Sequence, residues 1–156
     1  MAEKKKHKPI EIVNRRAEHE YFLTDKYEAG LVLQGTEIKS IRKGAANLSD
    51  SYCVFHDGEL YVYSMYIKEY ENGTYANHAS RRNRKLLLHK NELRKLEKKV
   101  KERGYTIIPY RLYMTERGIA KLEIAVAQGK KSYDKRESIK EKDTKRELDR
   151  MKKIKI

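Results

Sequence analysis

Between Ala127 and Arg136 the chain changes character. Upstream, apolar and polar residues alternate in short runs separated by Gly and Asn turns. Such period-two writing specifies half-buried strands rather than long helices. Downstream, residues 137–156 are dominated by charge, with Ile139, Leu148, Met151, Ile154 and Ile156 as the only sizeable apolar side chains. That is too little apolar surface to offset the entropy of ordering the segment. The expected organisation is a flexible basic arm over residues 1–9, a β-rich body over 10–128 and a basic tail over 129–156.

Charge follows the same division. The net charge is +14, yet residues 17–128 contribute only +4, while residues 1–16 contribute +4 and residues 129–156 contribute +6. A body with cationic ends points to a polyanionic partner, nucleic acid first and an acidic membrane second. No apolar run approaches the length of a membrane span, and the basic N-terminus lacks the apolar stretch of a signal peptide. A cytoplasmic monomer without membrane contact is the expectation. Cys53 is the only cysteine, which rules out an intrachain disulfide and reads as a small packed hydrophobe.

Read in order, the pattern places a strand over His19–Gly30, bent near Thr24-Asp25 and continuing through Leu31 and Leu33. A short helix follows, with Thr36 as N-cap and Gly44 as its stop. Asp57-Gly58 between Ser51–Phe55 and Leu60–Ile67 signals a tight hairpin. The stripe Leu86, Leu87, Leu93, Leu96 and Val100 predicts a helix over Arg84–Arg103, stopped by Gly104. Strands over Tyr105–Tyr113, with an edge or bulge at Pro109, and over Ile119–Ala127 complete the body. The order strand-helix-strand-strand-helix-strand-strand is that of a mainly β protein. It suits a small antiparallel barrel of the oligonucleotide-binding (OB-fold) type with flanking helices.

No catalytic or metal constellation is legible. The five histidines have no metal-like spacing with one another or with Cys53. Gly129-Lys130-Lys131-Ser132 resembles the end of a phosphate-binding loop, but Ile124 occupies the place of its first glycine. No cofactor and no enzymatic activity are expected. His19 and His78 stand out as polar-segment residues away from the apolar pattern. In the run Arg81-Arg82-Asn83-Arg84-Lys85 four close cations repel one another at the opening of the predicted long helix, where the dipole also disfavours them, and a bound phosphate would relieve both effects. Tyr61, Tyr63, Tyr66, Tyr70 and Tyr75 offer stacking faces, although alternation puts several of them in the core.

Taken together, several ordered segments resemble the bacterial SsrA-binding protein (small protein B) family. They are Asn14–Phe22, EAGLVLQGTEIKSIR from Glu28 to Arg42, Asn47–Tyr52, Arg84–Leu88, and Gly129-Lys130-Lys131 with Asp134-Lys135-Arg136. The likeness runs from about Lys4 to Arg150. It implies an adaptor that binds the tRNA-like domain of transfer-messenger RNA and brings it to stalled ribosomes for trans-translation. The resemblance also implies RNA contacts by Asn14, His19, Tyr21, Glu28, Leu88 and Lys121, to which the basic residues Arg42, Arg84 and Lys85 are added. A carboxylate such as Glu28 has a use in an RNA site, because it accepts from base N–H groups.

The same likeness implies a tail that is disordered when free and helical in the vacant message channel of the small subunit, near the decoding centre. Its implied ribosome contacts are Lys130, Lys131, Tyr133, Asp134, Lys135, Arg136, Arg150 and Met151. Glu141 with Lys145 and Asp149 with Lys153 are i,i+4 pairs in the favourable direction. About twenty helical residues would form a rod of roughly 30 Å. Two positions depart from the family pattern: Gln128 stands where many relatives have Lys, and Tyr133 where some have His.

Overall fold

The structure, a computed structural model, describes residues 10–71, 73, 77–102, 104–130, 136, 140 and 142–150. Its elements are β1 (Glu11–Val13), α1 (Arg15–Glu20), β2 (Tyr21–Leu31), α2 (Gly35–Arg42), β3 (Ala46–Asn47), β4 (Tyr52–His56) and β5 (Glu59–Tyr63), then β6 (Tyr66–Ile67), β7 (Arg84–Leu87), α3 (Lys90–Lys101), β8 (Tyr105–Met114) and β9 (Ala120–Gly129). The main sheet runs β1-β8-β4-β5-β7-β2-β9, and β9 pairs back onto β8. Every pairing is antiparallel, so six of these strands close into a ring and β1 adds to the side of β8. β3 and β6 form a separate two-stranded ribbon.

Closure buries one face of each strand. Leu60 and Val62 of β5, Leu86 of β7, Leu112 of β8 and Leu122, Ile124 and Val126 of β9 fill the inside, joined by Ile41 from α2 and Leu96 from α3. Local chemistry explains the expected turns. His56 faces Glu59 across a two-residue loop in which Asp57 (φ 50°) and Gly58 (φ 76°) are both left-handed, the type I′ geometry that matches strand twist. The bend expected at Thr24-Asp25 is a bulge, with the register shifting between Leu23 and Lys26. A second bulge falls between Pro109 and Arg111.

Four expectations are corrected. First, the long helix starts at Lys90, not Arg84, because Arg84–Leu87 is a strand held between β5 and β2. Leu86 and Leu87 thus alternate inside and outside rather than sharing a helical stripe, and Leu87 is 51% exposed. Second, α2 begins two residues earlier than Thr36 implies: Gln34 is its N-cap, and the Glu37 side chain accepts the Gln34 N–H at 2.9 Å. Third, the strand expected from His19 is preceded by a helical turn, α1, capped by Asn14. Fourth, Tyr61, Tyr63, Tyr66 and Tyr70 are only half-buried; on β5 the inward positions belong to Leu60 and Val62. Tyr75 lies outside the described residues.

Among the described residues no helix is long and apolar enough to cross a membrane. None of their histidines, cysteines and carboxylates group in a way that could hold a metal ion. Cys53 is buried, and burial pushes its thiol pKa up, away from the reactive thiolate.

Candidate nucleic-acid interface

The β2 bulge decides which side chains share a surface. Leu23 lies opposite Ala127, and both pack with Ala17 and Ile108 beneath α1, outside the ring. Past the bulge, Tyr27 lies opposite Ile124 and Ala29 opposite Leu122, inside the ring. The extra residue reverses the strand's alternation, so Tyr21 and Glu28 face the same way, although their odd and even numbers would separate them in a regular strand. Lys121 and Glu123 of β9 share that outer face with Ala127. The structure therefore brings Tyr21, Glu28 and Lys121 onto one face of the β8-β9-β2 section.

Side chains of β8 complete this face. Arg111 lies opposite Glu123, and Tyr113 opposite Lys121. A row then runs across the sheet from Glu11 through Tyr113, Lys121 and Gly30 to the exposed Leu87. Arg111 bonds Glu123 at 3.0 Å and Glu11 at 3.3 Å, with its guanidinium 4.2 Å from the Tyr113 ring centre. Burial opposes the Arg111 charge, but the bonds to Glu123 and Glu11 outweigh it and leave the pKa raised. Partial desolvation and a hydrogen bond donated to Glu28 push the Tyr113 phenol up to about 12, so it stays protonated. Glu28 and Glu123 face each other directly, a like-charge pair that Arg111 and Tyr113 relieve. Arg111, Tyr113 and Glu123 were not among the expected site residues, although alternation with Leu112 and Leu122 marks them as outward.

At the other end of the face, α1 is fastened by Asn14. Its Oδ1 accepts the Ala17 N–H at 3.2 Å, and its Nδ2 donates to the carbonyls of Leu48 at 3.2 Å and Pro109 at 3.0 Å. With both N–H groups committed and the residue buried, Asn14 positions α1 rather than presenting a free group. His19 sits half-exposed in the last turn of α1. The Tyr110 hydroxyl donates to Glu18 at 2.7 Å, and Lys26 lies 4.3 Å from the Tyr110 ring centre. Lys130, where the tail leaves β9, donates its backbone N–H to Glu20 O at 2.8 Å and its Nζ to Glu18 O at 3.1 Å. The root of the tail is thus tied to the same helix that borders the face.

Other expected contacts lie elsewhere. Arg84 is fully buried: it bonds Glu37 through Nε, Met65 O at 2.6 Å and Ser80 O at 3.3 Å. It is withdrawn from any RNA because a guanidinium in the interior needs all these acceptors. Arg82 joins the same carboxylate at 2.6 Å. The anion that relieves the arginine run is therefore internal: Glu37, itself fully buried. Lys85 pairs with Glu59 at 2.8 Å, and Leu88 is half-buried against the core. Arg42 is exposed at the end of α2. His78 is buried, bonded to Thr36 Oγ1 and Ile67 O at 2.9 Å each, which marks it as structural. In the tail, Arg136 and residues 142–150, Arg150 among them, are helical and exposed. Lys131, Tyr133, Asp134, Lys135 and Met151 lie outside the described residues.

A family model described as "SmpB protein" matches residues 11–154. The chain belongs to the SmpB family. It is 60% identical over 143 residues to the SsrA-binding protein of Phocaeicola vulgatus, covering 92% of this chain and 95% of that one. It is 53% identical over 137 residues to the SsrA-binding protein of Geobacillus thermodenitrificans, covering 88% of each. A solved structure described as "tmRNA-SmpB: a journey to the center of the bacterial ribosome" is similar at TM-score 0.68 and 50% identity. That match covers 79% of this chain and 86% of the other.

Proposed function

We propose that this chain is a cytoplasmic, non-enzymatic adaptor that binds the tRNA-like domain of transfer-messenger RNA and delivers it to stalled ribosomes. The observation that carries the reading is the single outer face bearing Tyr21, Glu28 and Lys121, with the root of the tail fixed beside it. Lys121 supplies attraction for phosphate, and Glu28 supplies an acceptor for base N–H groups. Arg111 and Tyr113 hold that carboxylate face in register and add a cation and a ring. His19 borders the face from α1, while Leu88, Lys85 and Arg42 extend the contact beyond β2.

The tail adds the second half of the mechanism. Anchored through Lys130, residues 131–156 enter the vacant message channel by the decoding centre, with Lys131, Tyr133, Asp134, Lys135, Arg136, Arg150 and Met151 meeting the small subunit. A tail with so few apolar side chains, helical over the described residues 142–150, is held in place by the channel rather than by packing on the body, at an ordering cost of about 2–5 kcal/mol of the binding energy. A channel still holding message has no room for it, so engagement is confined to stalled ribosomes.

Competition binding tests the reading. Transfer-messenger RNA should resist displacement by a large excess of ordinary tRNA at physiological salt. Equal competition by tRNA would refute it, because charge alone binds through counterion release without regard to shape.

A further inference from the structure

A half-open cleft of about 450 Å³ lies between α1 and the seam of β4 with β8. Ala17 and Ile108, both nearly fully buried, close its inner side. Tyr21 and Tyr52 flank it, and Tyr52 keeps 43% of its surface exposed. Tyr52 is already part of a stack: the Tyr63 ring lies at 17° to it with centroids 5.7 Å apart. Two carboxylates stand at the opening, Glu20 and Asp50, bridged by one cation. Arg16 Nε meets Glu20 Oε1 at 3.0 Å, and its Nη1 meets Asp50 Oδ1 at 3.2 Å. One arginine therefore balances two carboxylates, and the Asp50 side chain remains 71% exposed with only one oxygen engaged.

An acidic opening is unusual in a protein carrying +14. It repels phosphate, so backbone binding is not what the cleft is built for. Carboxylates beside an aromatic face suit a flat ring that donates N–H groups from its edge. Among the four bases, guanine alone presents two adjacent donors, N1–H and N2–H, which match the two oxygens of one carboxylate. Adenine and cytosine offer an amino group next to an acceptor, and uracil a single imino N–H between two carbonyls. A ring laid against Tyr52 would extend the existing two-ring stack, with the edge that carries its ribose turned toward solvent.

We propose that this cleft receives one unpaired guanine base, its Watson–Crick edge donated to Asp50 and its ring stacked on Tyr52. The proposal rests on reading the chain as an RNA-binding protein and assigns that protein a base-specific pocket next to Tyr21. Asp50 is well placed for the task, since its backbone sits in the left-handed region (φ 64°), which Asp and Asn tolerate better than other side chains. Asp50→Asn therefore removes the acceptor pair without disturbing the turn.

The test uses the full chain and titrates it with each of the four nucleoside monophosphates and with inosine monophosphate, which lacks the N2 amino group. NMR signals of Ala17, Ile108 and Tyr52 report the cleft. Guanosine monophosphate should shift them saturably, with inosine monophosphate binding about tenfold more weakly. Asp50→Asn should abolish the guanine preference while leaving the melting temperature unchanged. Equal responses to all nucleotides, or no response at Ala17 and Ile108, overturn the proposal. A second arm measures binding of the tRNA-like RNA itself. Should Asp50→Asn and Tyr52→Ala both bind it as tightly as the unaltered chain, the guanine pocket is wrong while the RNA-binding reading stands. Failure of the unaltered chain to prefer that RNA over ordinary tRNA would strike the wider reading, and the nucleotide titration would still decide the pocket.

Discussion

Replacing Glu37 by Gln removes the one fully buried carboxylate among the described residues. Glu37 is fully buried and accepts from the Gln34 N–H at 2.9 Å, from Arg82 at 2.6 Å and from Arg84. Gln retains one acceptor oxygen but carries no charge, so the fully buried Arg84 guanidinium is left uncompensated. Breaking a buried pair in this way costs about 3–5 kcal/mol, against a total stability of roughly 5–15 kcal/mol for a domain of this size. Urea denaturation at pH 7 should therefore show the midpoint falling by about a fifth or more with an unchanged slope.

The pH dependence provides an independent check. Burial raises the Glu37 pKa, but hydrogen bonds from Gln34, Arg82 and Arg84 outweigh it, and the folded value lies below the ordinary 4.5. A carboxyl depressed on folding contributes stability that is fully present above its unfolded pKa and lost as pH falls through the folded one. The unaltered protein should lose this contribution below about pH 4.5, and Glu37→Gln should lack that part of the acid limb. Arg84→Met offers a parallel variant. Because Arg84 is inside, its folded fraction should bind RNA within about twofold of the unaltered chain. A loss below about 1 kcal/mol for Glu37→Gln at pH 7, or a tenfold drop in RNA affinity for stably folded Arg84→Met, would refute the assignment of this cluster to the interior.

Three further outcomes follow from the interface. Asn14→Ala removes a helix cap and orphans the carbonyls of Leu48 and Pro109; a loss of about 3 kcal/mol is expected in thermal or urea melts. Glu28→Ala should weaken binding of the tRNA-like RNA by about tenfold, with Tyr113→Phe smaller in the same direction, since it keeps the carboxylate but removes the hydrogen bond that orients it; filter binding or calorimetry measures both. Truncation after Lys131 should leave RNA affinity within about twofold yet abolish peptide tagging in a reconstituted rescue assay, because the proposed RNA face ends at β9. Loss of both together would place the tail in the RNA site.

Much of this molecule is written in short-range chemistry. The Asp57-Gly58 hairpin, the kink at Thr24-Asp25, the bulge by Pro109 and the stop of α2 before Gly44 depend on a few neighbouring residues, and each formed where those residues demand it. The division between an alternating body and a charge-dominated tail is equally local, since it reflects how much apolar surface each segment carries. Long-range pairing determined the rest. Arg84–Leu87 has the apolar spacing of a helix, yet two neighbouring strands supply its hydrogen bonds, and strand geometry turns Arg84 inward and Leu87 outward. The arginine run that resembles a phosphate site spends its central charge on Glu37, 47 residues away. Tyr21, Glu28 and Lys121 come together because one extra residue in β2 reverses its alternation. Residue order cannot reveal that effect without the partner strand that defines the register.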